Sequence, residues 1–174
     1  MSTTPPTSPP PAAAATPTKP ARQNKPDDVP WLSPYLVVRD VAAAIDFYQQ
    51  AFCFALQSKQ VGSDGKPFHA VLAWHDARIQ LGPENADLKA PVTRGGATGH
   101  HYVYVDNVDV LFERALDGGA MPLRSPKNEY WGDRCCLVAD PDGHTWMFAA
   151  HVPNFDAWKA AHDELAQQTK DKNQ

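Results

Sequence analysis

The sequence predicts an α+β fold: two βαβββ modules forming a curved mixed sheet around a cleft, followed by a C-terminal helix. Three observations predict it. Two amphipathic helical segments each follow a short apolar strand across a helix-capping residue. Three further strand-like runs follow each of those helices. The two halves also superpose at one spacing, since Val38 and Val105, Arg78 and Thr145, and the turns at His75-Asp76 and Asp142-Gly143 all lie 67 residues apart.

The first thirty residues stand outside this pattern. They hold nine of the 17 prolines, no aromatic residue, and Val29 as their one branched aliphatic. Such a stretch cannot bury enough apolar surface to offset its ordering entropy, so residues 1–30 are expected to be a disordered Pro/Ala/Thr-rich tail. A targeting peptide fits less well. The prolines interrupt an amphipathic helix, and Ala12–Ala15 is too short and too weak for a signal core.

Residues 31–152 form the expected domain, with modules over about 31–83 and 98–152. A strand is expected at 34–39. Asp40 is a plausible N-cap for a helix whose apolar positions Val41, Ala44, Ile45, Tyr48 and Phe52 recur every three to four residues. Strands follow at 54–61, 67–74 and 77–82, with His75-Asp76 as the turn of a hairpin. In the second half HYVYV is a strand, Asn107 is an N-cap, and VDVLFERAL is a helix ended by Gly118-Gly119. Strands are expected at 121–124, 133–139 and 144–150. Asp140-Pro141-Asp142-Gly143 reads as a turn. Residues 153–174 are read as a C-terminal helix and tail, with Phe155, Trp158, Ala161 and Leu165 along one stripe.

Alternation along strands separates two faces. Leu36, Val38, Ile79, Leu81, Val103, Val105, Trp146 and Phe148 are expected to pack under the helices. The opposite face carries Ser33, Tyr35, Arg78 and Gln80 from the first half, and His100, Tyr102, Tyr104 and Met147 from the second. If Trp74 pairs with Ala77, His69 joins Gln80. The same spacing puts Arg134 and Cys136 beside Met147. Trp131 stands in a loop before that strand. Aromatic rings with a few placed polar groups are the composition of a ligand cleft.

Composition bounds the function. Sixteen basic against 20 acidic residues give a formal net charge of -4, which disfavours nucleic acid as a partner. No apolar run approaches the ~20 residues that span a bilayer. Three cysteines, two of them adjacent, fit a reducing, cytoplasmic setting better than a disulfide framework.

Three segments, PYLVVRDVAAAIDFYQQAF, GHHYVYVDNVDVLFERALDGGA and YWGDRCCLVADPDGHTWMF, together resemble the vicinal oxygen chelate superfamily. That group comprises glyoxalase I, extradiol dioxygenases and bleomycin-resistance proteins, and the likeness is strongest to its PhnB-like branch. The resemblance covers roughly residues 32–152. It implies paired βαβββ modules around a cleft and, in metal-using members, four ligands from equivalent strands. Those positions fall on Ser33, Gln80, His100 and Met147. The family has His or Gln, Glu, His and Glu there, so only His100 matches well. No metal or other cofactor is therefore expected.

The resemblance then implies metal-independent binding or sequestration of a small molecule, in a homodimer whose cleft is shared between copies. The alternative is a metal-dependent glyoxalase-like lyase or dioxygenase. Two further arrangements are weighed. His69, His100 and Cys136 would form a three-ligand metal site, or Cys136 would act as a nucleophile with His100 or His69 as its base; a buried structural thiol is the plainer reading. Asp133 and Arg134 are expected to form an ion pair that fixes the WGDR turn.

Overall fold

A computed structural model describes residues 24–156, 159, 160 and 163. The chain divides into two compact units, Met1–Trp31 and Leu32–Gln174. In the first, residues 1–23 of the expected tail lie outside the described residues, and the Lys25 ammonium stands 5.6 Å from the centre of the Trp31 ring.

The second unit holds both modules. The first runs β1 (Tyr35–Val38), α1 (Val41–Phe52), β2 (Ala55–Val61), β3 (Pro67–Trp74) and β4 (Ala77–Pro83). A short helix, α2 (Pro91–Arg94), follows in the linker, where none was expected. The second module runs β5 (His100–Tyr104), α3 (Val108–Asp117), β6 (Met121–Asn128), β7 (Asp133–Ala139) and β8 (Thr145–His151). The strands form two four-stranded sheets, ordered β1-β4-β3-β2 and β5-β8-β7-β6, so the mixed sheet is built in two parts. In each, the first strand runs parallel to the last and the other pairs are antiparallel.

Both predicted caps are present. The Asp40 carboxylate accepts from Ala42 N (2.8 Å) and Ala43 N (3.0 Å), and the Asn107 side chain accepts from Val110 N (3.1 Å). Each removes donors that the first helical turn would leave unpaired. The two helices pack on one another, and a Cβ built on Gly118 would stand 2.5 Å from Ala51 Cβ, so glycine is what lets them approach.

One core spans both modules. Leu36, Val38, Ile79, Leu81, Trp146 and Phe148 are buried in it beneath α1 and α3, with Val103 and Val105 packed against it, as alternation predicts. Helical backbone resumes at Phe155, and the rest of the expected stripe, Trp158, Ala161 and Leu165, lies outside the described residues. No helix among the described residues is long and apolar enough to cross a membrane.

The turn before β8 departs from the expected repeat. Trp74 pairs with Ala77 across two residues, but Ala139 pairs with Thr145 and Asp140 N donates to His144 O (2.9 Å). The second turn is therefore longer by an odd number of residues. Gly143 makes it possible: its φ is +85°, and a Cβ there would stand 2.9 Å from Val92 N. Gly143→Ala should cost about 1–3 kcal/mol, from the left-handed backbone and the displaced α2 segment. Urea denaturation with an unchanged midpoint would refute that.

Candidate functional site

The open face of each sheet, opposite the helices, carries the candidate residues. On the first sheet Tyr35 lies beside Gln80, and Val71 lies opposite Gln80 on the other side. His69 stands two residues before Val71 and so shares this face. Its Nε2 is 3.2 Å from Gln80 Oε1, a pairing in which the imidazole N–H donates to the amide oxygen. The Tyr35 and His69 rings are 6.1 Å apart. Arg78, half-buried, stands two residues before Gln80 on the same face. Ser33 is half-buried just ahead of β1.

On the second sheet Tyr102 lies beside Met147, Tyr104 beside Ala149, and His100 beside Thr145. The longer turn corrects the expected face of β7. Leu137 is opposite Met147 and Cys135 opposite Ala149, whereas Cys136 is opposite Phe148. A one-residue shift moves every side chain of a strand to the other face. Cys136 accordingly lies in the main core, fully buried, and Arg134 turns to the helix side, where it holds Asp109 through two hydrogen bonds (Nε–Oδ2 2.7 Å, Nη2–Oδ1 2.6 Å). The expected Asp133–Arg134 ion pair is replaced by this one, because neighbouring strand residues point to opposite faces.

Neither thiol of β7 is set up as a nucleophile. Burial pushes Cys136 up to about 11, and burial likewise raises Cys135. A reactive cysteine needs the opposite shift. With Cys136 on the far face, the proposed cluster with His69 and His100 does not form, and no group of three His, Cys, Asp or Glu side chains able to hold a metal exists among the described residues.

The face of the second sheet instead centres on Asp133, a buried carboxylate that alternation did not single out. Its Oδ2 accepts from Tyr102 OH (2.6 Å) and Tyr104 OH (2.8 Å), and its Oδ1 is 3.3 Å from His151 Nδ1. Trp131 Nε1 donates to Tyr102 OH (3.1 Å), and Tyr102 OH is 3.4 Å from Cys135 Sγ. Burial alone would raise the Asp133 carboxyl. Hydrogen bonds from Tyr102, Tyr104 and His151 outweigh it and hold the group below its ordinary value. Tyr102 is raised by burial and by its bond to Asp133, and Tyr104 by its bond to Asp133 and by burial. The result is a set of exposed aromatic rings whose polar ends are pinned to one anion. Beside it, Arg124 of β6 lies opposite Leu137, with Nη2 4.0 Å from Met147 Sδ and 3.0 Å from Glu129 Oε1.

Comparison with known proteins places this architecture. Residues 29–148 match the model of the Glyoxalase/Bleomycin resistance protein/Dioxygenase superfamily. The chain belongs to that superfamily. An uncharacterized protein of Mycobacterium bovis is 37% identical over 139 residues, covering 76% of this chain and 91% of its own length. An uncharacterized protein of Mycobacterium tuberculosis H37Rv is equally similar over 82% of its length. Among solved structures, TioX from Micromonospora sp. ML1 is 28% identical with a TM-score of 0.55, covering 70% of this chain and 98% of that one. Glyoxalase I from Zea mays shares the fold at a TM-score of 0.57 and 23% identity, covering 70% of this chain and 44% of that one.

The superfamily's metal positions can be tested on the donor chemistry present. Ser33 offers a neutral hydroxyl, and the Gln80 amide oxygen already accepts from His69. Met147 offers a thioether with a guanidinium beside it. That leaves His100 as the one good donor, and a divalent site needs several imidazole, carboxylate or thiolate ligands. These residues do not fit the family's divalent metal.

Proposed function

We propose that the chain binds and sequesters a small molecule on these sheet faces without a metal, in the manner of the superfamily's bleomycin-resistance-type members. The observation that carries this reading is the Met147 thioether at the fourth ligand position, where a metal-using member keeps a carboxylate, with the Arg124 guanidinium, itself paired with Glu129, 4.0 Å from its sulfur. The pinned tyrosines and Trp131 then supply flat apolar surface with fixed polar ends, suited to an aromatic or cationic ligand.

Each face lies open within one chain, with Tyr35 51% and Tyr104 58% exposed. A second copy laid across them would complete the cleft, so we read the protein as a cytoplasmic homodimer. Light scattering at micromolar concentration should report a dimer, and a monomer would count against a shared cleft.

The deciding experiment offers zinc, nickel, manganese and ferrous iron to protein purified without chelator, followed by elemental analysis. Background metal, with thermal-shift stabilisation by aromatic or cationic compounds, is the expected result. Near one metal per chain, lost in His100→Ala, would overturn the reading in favour of a lyase or dioxygenase.

A further inference from the structure

Two cavities lie at the joints between the modules, and the repeat relates them. One, of about 460 Å³, is lined by β1 residues Tyr35–Val37, the start of β5, the 89–99 linker, and His144 and Thr145. The other, of about 430 Å³, is lined by the end of β5 and the turn between β3 and β4. Each joint carries one ring nitrogen on a backbone carbonyl: His144 Nε2 to Val37 O (2.9 Å) and Trp74 Nε1 to Tyr104 O (3.1 Å). Val37 and Tyr104 are equivalent positions of the repeat.

The two joints carry opposite charge. Asp76 and Asp106 line the second, with no Lys or Arg. The first is lined by Lys89, Arg94, His100, His101 and His144, and no carboxylate is among its lining residues. In a chain of net charge -4, composition does not account for such a lining. Cations gathered in one lining repel one another, and an anion between them relieves that.

The basic side is also built rather than loose. Glu84 Oε1 accepts from Ala90 N (2.9 Å), Val92 N donates to Asp142 O (2.9 Å), and Ala90 is fully buried, so the linker that carries Lys89 and Arg94 is fastened at three points. Glu84 Oε2, outside the lining, is 4.0 Å from Lys89 Nζ. Arg94 has no ion-pair partner among the described residues.

We propose that this joint binds the oxyanion of a small organic molecule, a carboxylate or a phosphate, through Lys89 and Arg94, with the His101 imidazole in the same lining. The cavity has room for the rest of a metabolite-sized ligand. The inference concerns the opposite chemistry. It shares the positions Tyr35 and His100 with the sheet-face reading but rests on Lys89 and Arg94, which that reading does not use, so either stands if the other fails.

Binding should tighten as pH falls. Burial, with His144 and His100 nearby, holds the His101 imidazole below its ordinary value, and an anion favours its charged form. The groups facing it are His100 on its own strand and His144 on the turn. His144 is itself beside the buried Asp140, Lys89, Arg94 and Tyr35 line the same cavity, and the Trp146 ring packs 4.5 Å from His101.

The test follows imidazole C–H resonances of the full chain by NMR. Inorganic phosphate and succinate are each titrated against sodium chloride of matched ionic strength, at about pH 6 and about pH 8. Saturable shifts of His101 and His144 are expected with at least one anion, and which one saturates assigns the class. Affinity for succinate should fall at the higher pH, and affinity should fall roughly tenfold in a Lys89→Gln/Arg94→Gln double variant, as for lost charge-assisted bonds. Both residues lie on the exposed linker, and an unchanged melting curve without anion checks the variant's fold. No saturation beyond chloride, equal binding by the double variant, or shifts confined to the Trp74 indole at the acidic joint would each overturn the proposal.

Discussion

Asp140→Ala is expected to remove about 3–5 kcal/mol of stability, a large share of what a domain of this size holds. The carboxylate is 4% exposed and works for both modules at once. Tyr48 of α1, 1% exposed, donates its hydroxyl to Oδ2, and Trp146 Nε1 reaches the same oxygen at 3.3 Å. Oδ1 accepts from Asp142 N (3.0 Å) and His144 N (2.9 Å). Alanine would orphan a buried phenol, a buried indole and two backbone donors, and would loosen the turn that seats α2. Asp140→Asn keeps one of the two acceptor oxygens and should cost less than alanine. Guanidinium denaturation of both variants checks this, and equal losses would show that the oxygens are not what matters.

The same residue has a pH signature. Burial raises the Asp140 carboxyl, with bonds from Tyr48 and the His144 backbone opposing. A raised native value means that the folded state binds the proton more tightly than the unfolded one. The stability from this source is complete below the unfolded value of about 3.9 and is lost as pH rises through the native value. That declining component should vanish in Asp140→Asn. Its persistence would assign it to another group.

Much of this architecture is legible in the sequence because it depends on local chemistry. Asp40 and Asn107 announce the helix starts, and the spacing of Val41, Ala44, Ile45 and Tyr48 fixes the buried stripe of α1. The spacing of 67 holds for β1 with β5 and for β4 with β8, so Tyr35, Gln80, Tyr102 and Met147 were placed on the correct face. It fails for β7, because the turn before β8 differs in length from the one before β4. Counting the residues of DPDGH against HD was the available signal. With the parity corrected, the partner of His69 in the repeat is Cys135, one residue from the Cys136 expected. Arg124 was hidden for a related reason, since register shifts on either side of it break alternation in β6. Asp133 is expected from the sequence only as a partner of Arg134; its role on the sheet face is hidden because the hydroxyls that define it come from another strand, 31 and 29 residues away.

That buried carboxylate carries the second large effect. Asp133→Ala should cost about 2–3 kcal/mol, since two charge-assisted hydrogen bonds disappear from partly exposed phenols. The greater consequence is for the candidate binding face. Tyr102 and Tyr104 would lose the anchor that sets their rings, and Trp131, which donates to Tyr102, would be released with them. A ligand would then have to order three aromatic side chains, each costing about 0.5–1.5 kcal/mol, so capture should weaken by more than about tenfold. Asp133→Asn keeps one oxygen where both hydroxyls donate but loses the charge, and should fall between the native protein and Asp133→Ala. Because hydrogen bonds hold the native carboxyl below its ordinary value, its contribution is present above the unfolded value and is lost as pH falls through the native one, opposite in sign to Asp140. Exchange of the Trp131 indole proton reads the anchoring directly. Faster exchange in Asp133→Ala with the melting curve only modestly lowered would establish that Asp133 orders the face, whereas unchanged exchange would reduce it to an ordinary buried acid.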